Sequence, residues 1–121
     1  MGSPLGRIVI YTKKMDAMAA FYAKHFGFSV LQVEGDRIVE LEAQGSGTSI
    51  LLHSASTNQK EGQVLVKLVF DVQNVPEFCA QALNEGLKFG KVHKVGGYEF
   101  ANAKDPSGNA IQVSSRAFVK R

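Results

Sequence analysis

The same succession of elements is written twice along the chain, about 60 residues apart, and this limits the possible folds more than any single motif. Arg7-Ile8-Val9-Ile10-Tyr11 has its counterpart in Lys67-Leu68-Val69-Phe70-Asp71. Gly27, standing where a glycine ends a helix, is echoed by Gly86. Gly47-Thr48-Ser49-Ile50-Leu51-Leu52 is echoed by Gly108-Asn109-Ala110-Ile111-Gln112-Val113. Residue identity between the halves is weak. The order and spacing of elements carry the inference.

In each half the pattern predicts strand, helix, then three strands. The first strand covers 7–11. A helix follows over 15–26, with Met18, Phe21, Tyr22 and Phe26 at helical spacing and Asp16 near its start. Strands are expected over 29–33, 37–42 and 48–53, separated by Gly35-Asp36 and Gly45-Ser46-Gly47. The polar stretch 54–62 reads as an exposed linker. The second half repeats the plan with a strand over 64–72 and a helix through Pro76, Phe78, Ala82 and Leu83 that ends before Gly86. Strands near 87–93, 98–102 and 110–114 complete it, the last two joined by the turn-forming Asp105-Pro106-Ser107-Gly108-Asn109. The fold class is α+β. Two tandem βαβββ modules, about 7–54 and 64–116, make a single domain over 1–121.

One helix per module covers one sheet face with its apolar stripe, and side chains alternate along a strand. Ile8, Ile10, Ile50, Leu52, Val66, Leu68, Phe70, Val72, Ile111 and Val113 suit the helix side. The other face then collects Arg7, Tyr11, Leu51, His53, Lys67, Asp71, Gln112 and Ser114. That polar and apolar mixture suits a small organic molecule.

Composition excludes several functions. The net charge is +3, and the basic residues are scattered, with no basic-aromatic strand of the kind that binds RNA. No nucleic-acid partner is expected. No apolar run approaches the roughly 20 residues of a membrane-spanning helix, so no membrane partner is expected either. The N-terminal residues lack the charged-then-apolar design of a secretory signal. The single cysteine, Cys79, forms no internal disulfide and suits a reducing cytoplasm. It reads as a small buried helix residue rather than a nucleophile. No phosphate-binding glycine pattern is present.

Three motifs in order resemble the vicinal oxygen chelate superfamily, the glyoxalase/bleomycin resistance/dioxygenase fold. They are Phe21-Tyr22-Ala23-Lys24-His25-Phe26-Gly27-Phe28, Phe70-Asp71-Val72 before the second helix, and Asp105-Pro106-Ser107-Gly108-Asn109-Ala110-Ile111-Gln112. The likeness spans 7–116. It implies that the eight strands form a curved sheet with a concave cleft, and it implies a homodimer. It also implies a metal site, because metal-dependent members place His or Glu at positions that match Arg7, Leu51, Lys67 and Gln112 here. None of these four residues is an acid or an imidazole, and Arg and protonated Lys have no lone pair to donate. A divalent ion beside two cations would be repelled. No metal and no cofactor are therefore expected.

The resemblance, with its ligand positions replaced, points to binding of a small polar or anionic organic molecule without a metal. Arg7 and Lys67 would neutralise the ligand, Gln112 and His53 would orient it, and Tyr11, Leu51 and Tyr98 would supply apolar contact. Gly96-Gly97 reads as a flexible stretch beside Tyr98 that would serve as a lid. Two alternatives stand beside this reading. One is a glyoxalase-like lyase or isomerase, or a dioxygenase-like enzyme, with His53 as base and the two cations stabilising an oxyanion. The other is a non-enzymatic module of a larger complex. Glu40 and Glu42 read as solvated strand carboxylates.

Overall fold

The computed structural model describes residues 2–119. The chain divides into two compact units, residues 1–61 and 62–121. Each unit carries the same order of one strand, one helix and three strands.

The first unit holds β1 (Arg7–Thr12), α1 (Met15–Phe26), β2 (Ser29–Gln32), β3 (Val39–Glu42) and β4 (Ser49–Ser54). Its sheet has the order β1-β4-β3-β2. β1 runs parallel to β4, and the other pairs are antiparallel. A parallel pair needs a long crossover, which α1 and the two intervening strands provide. α1 packs on β2, β3 and β4. Met18 and Tyr22, one helical turn apart, meet Val39, Leu41, Ile50 and Leu52 there, and all six are buried. Gly27 ends the helix with φ of 73°, a left-handed conformation that glycine adopts without a Cβ penalty. Asp16 lies in the first turn without capping it. Thr12 organises this end instead: its Oγ1 accepts from the Lys14 N–H at 2.9 Å.

The second unit holds β5 (Lys67–Asp71), α2 (Val75–Asn84), β6 (His93–Val95), β7 (Tyr98–Lys104) and β8 (Ala110–Ser114), followed by a short 3-10 turn, Arg116–Phe118. The sheet order is β5-β8-β7-β6, with β5 parallel to β8. The registers match between units. Val9 opposes Leu51 in the first, and Val69 opposes Gln112 in the second. Asn74 caps α2 by accepting from the Glu77 N–H at 3.1 Å, and Pro76 stands in the first turn. Val75, Ala82, Leu87, Phe89, Ala101, Ile111 and Val113 form the buried core.

Several expected boundaries shift. The strand placed over 64–72 begins only at Lys67. Val64, Leu65 and Val66 are exposed, so Val66 does not face the helix. Composition alone suggested strand there, but β8 begins at Ala110, opposite Lys67, so the preceding residues have no ladder partner. The strand placed at 87–93 is displaced to His93–Val95. Leu87 and Phe89 are buried outside any strand, with the Phe89 ring 6.1 Å from that of Phe78. β3 starts at Val39 rather than at 37, and β2 stops at Gln32. The polar stretch after β4 is tied down in the first unit: the Lys13 N–H donates to Glu61 at 3.0 Å and the Ala55 N–H to the Thr12 carbonyl at 3.0 Å.

The Asp105-to-Asn109 motif is structural. Asp105 is buried, and its carboxylate accepts from the Ser107 N–H, the Asn109 N–H and the Asn109 side-chain amide, each at 2.9 Å. Asp105→Ala leaves these donors without their acceptor. Urea denaturation is expected to show a loss of about 1–3 kcal/mol in stability.

Candidate functional site

The helix-free face of each sheet carries the polar groups. In the first unit this face presents Arg7, Val9 and Tyr11 from β1, Leu51 and His53 from β4, and Glu40 from β3. Arg7 reaches over β4 toward Glu40, with Nε 3.9 Å from a carboxylate oxygen. An exposed contact at that distance contributes little to stability. Glu40, expected to be a solvated carboxylate, is half-buried and is the partner of Arg7. Tyr11 and His53 oppose one another in the β1–β4 ladder, with ring centroids 5.2 Å apart. His53 Nδ1 lies 3.0 Å from the Ser54 carbonyl oxygen. A carbonyl only accepts, so Nδ1 is the donor in this contact.

The second unit places Lys67 and Val69 of β5, Gln112 and Ser114 of β8, and Tyr98, Phe100 and Asn102 of β7 on the corresponding face. Lys67 Nζ donates to Asn102 Oδ1 at 3.0 Å, and Gln112 Nε2 donates to the same oxygen at 2.9 Å. Asn102 sits opposite Gln112 as Glu40 sits opposite Leu51. Both units thus turn the cation of the first strand toward a polar residue two strands away, an acid in one and an amide in the other. Asn102 went unrecognised in the sequence, although alternation with Tyr98 and Phe100 marks it.

A depression of about 490 Å³ opens on this face of the second unit. Val69, Asp71, Tyr98, Gln112 and Ser114 line it from the strands. Arg116, Ala117 and Val119 line it from the chain after β8. The Arg116 guanidinium lies 5.2 Å from the Tyr98 ring centroid, and its Nη1 donates to the Tyr98 hydroxyl at 3.2 Å. Arg116 was also missed, since it follows the last strand and no periodic pattern reaches it. Gly96-Gly97, expected as a flexible stretch, forms the turn between β6 and β7. Val95 pairs with Tyr98 across it, and both glycines have positive φ, as the tight two-residue turn of the β6–β7 hairpin requires. His93 is exposed and stacks on Phe100, centroids 5.0 Å apart.

The residues at the positions implied for a metal do not fit one. Arg7 is turned to Glu40, Lys67 and Gln112 both donate to Asn102, and Leu51 has no donor atom. Among the described residues, no three His, Cys, Asp or Glu side chains gather as metal ligands would. Nor is any described helix long and apolar enough to cross a membrane.

Cys79 on α2 is half-buried, and burial pushes its thiol above the usual range. At neutral pH its thiolate fraction is therefore lower than that of an exposed cysteine. Its reaction with a disulfide reagent at pH 8 is expected to be slower in the folded protein than in urea. The raised pKa also means that the unfolded chain gives up this proton first. Stability should accordingly fall as pH rises past the point where an exposed thiol ionises.

The fold recurs in solved structures. An antibiotic-binding protein, TnmS3 from Streptomyces sp. CB03234, superposes with a TM-score of 0.75 at 20% identity, covering 92% of this chain and 93% of its own. Lactoylglutathione lyase from Agrobacterium tumefaciens gives a TM-score of 0.71 at 18% identity, covering 94% of each chain. Virulence protein STM3117 from Salmonella typhimurium gives 0.73 at 20% identity, covering 94% of this chain and 97% of its own. Among curated proteins, none matches the chain by sequence. The model of one family matches residues 5–113, so nearly the whole duplicated frame lies within it, and the chain belongs to the glyoxalase/bleomycin resistance protein/dioxygenase superfamily.

Proposed function

We propose that this protein binds a small polar or anionic organic molecule with an aromatic part, on the helix-free side of its sheets and without a metal held by the protein. The depression in the second unit carries the proposal. It joins apolar Val69, Ala117 and Val119 to the amide of Gln112, the Tyr98 ring and a guanidinium. Few polar groups set in an apolar surround are what orient a small ligand, and about 490 Å³ is within the range such ligands occupy. Lys67, on the same face, adds a positive charge, and Gln112 retains a carbonyl oxygen for a donor on the ligand. In the first unit the equivalent positions offer Arg7 as the cation, Tyr11 and Leu51 as apolar surface, and His53 as a polar ring. One protein of the same fold is an antibiotic-binding protein, which is in keeping with small-molecule binding. A cytoplasmic homodimer is part of the proposal.

The chain has no tryptophan and three tyrosines, of which Tyr22 is buried, so a change of tyrosine emission on direct contact with a ligand comes from Tyr11 or Tyr98. Titration with 2-naphthoate is expected to shift the Gln112 side-chain amide and the backbone amides of Tyr98 and Arg116. Added Ni²⁺ or Zn²⁺ should change nothing. Tyr98→Ala should weaken binding about fivefold or more, as loss of an aromatic contact commonly does. If millimolar 2-naphthoate leaves these resonances in place, or binds only with added metal, the proposal fails.

A further inference from the structure

We infer that the ligand of the second-unit depression is dipolar, an ammonium and a carboxylate on one apolar body, as in an aromatic amino acid or its derivative. The inference rests on the binding proposal above and narrows its ligand class. Asp71 and Arg116 line the same depression with opposite charges, yet no ion pair joins them, and neither pairs with any other charge among the described residues. The Asp71 carboxylate, at the exposed end of β5, has no hydrogen bond among the described residues. Arg116 uses one N–H on the Tyr98 hydroxyl and holds its guanidinium carbon over the ring. A guanidinium held this way keeps N–H donors for a planar carboxylate. Asp71 stands opposite Ser114 in the β5–β8 ladder, Arg116 follows Ser114 by two residues, and Val69, Ala117 and Val119 supply the apolar wall.

Two opposite charges, each unpaired at the rim of one hollow, are matched by a ligand that carries both complements. A simple anion satisfies Arg116 but meets the negative field of Asp71. A simple amine has the reverse problem. Discrimination therefore comes from repulsion as well as attraction.

Three probes of one shape separate these cases: L-phenylalanine, 3-phenylpropionate, which lacks the ammonium, and 2-phenylethylamine, which lacks the carboxylate. Calorimetric titration of the full chain should rank L-phenylalanine about tenfold tighter than either, the size of one charge-assisted contact. Asp71→Asn should abolish the advantage over 3-phenylpropionate, and Arg116→Gln the advantage over 2-phenylethylamine. Arg116→Lys should retain part of the latter, and thermal melts establish that each variant folds. Equal or tighter binding of 3-phenylpropionate by the unmodified protein would overturn the dipolar ligand and leave the binding proposal standing. So would a preference for L-phenylalanine that survives Asp71→Asn. Binding of 2-naphthoate without any binding of L-phenylalanine has the same effect, whereas failure of all four compounds defeats both readings.

Discussion

Each sheet of this protein has one helix to cover it, and a helix covers one face. That constraint governs the rest. In the first unit, Met18 and Tyr22 bury the inward side chains of β3 and β4. In the second, Val75 and Ala82 belong to a core with Ala101, Ile111 and Val113. Burial of this apolar set drives each unit to fold. The opposite face makes no such contribution and is free to vary in chemistry.

The two halves show how far it has varied. Their ladders keep the same register, so position for position Arg7 answers to Lys67, Leu51 to Gln112 and Glu40 to Asn102. In one half a guanidinium faces a carboxylate, and in the other an ammonium and an amide share one carbonyl oxygen. Such side chains offer charge and hydrogen-bonding groups. They do not supply the lone-pair cluster that a metal centre needs.

The fold was legible because its signals are local and repeated. Helical spacing located α1 from Met15 to Phe26, and β8 was bounded correctly at both ends. Errors fell where a strand depends on its neighbour. Residues 64–66 are as apolar as a strand but lie beyond the start of β8, and β6 pairs only where β7 reaches it. Leu87 and Phe89 showed burial without showing that burial occurs outside a sheet.

Alternation along the strands, read from the sequence alone, determined which residues lie on the helix-free face of each sheet, Arg7, Tyr11, Leu51 and His53 in the first unit and Lys67 and Gln112 in the second. Tertiary structure alone decided what those residues do with one another. Lys67 and Gln112 meet on Asn102, and Arg116 returns from beyond the last strand to lie against Tyr98. The reason is geometric. Facing direction follows from a two-residue period within one strand, whereas a hydrogen bond between strands depends on sheet order and register, which no single segment encodes.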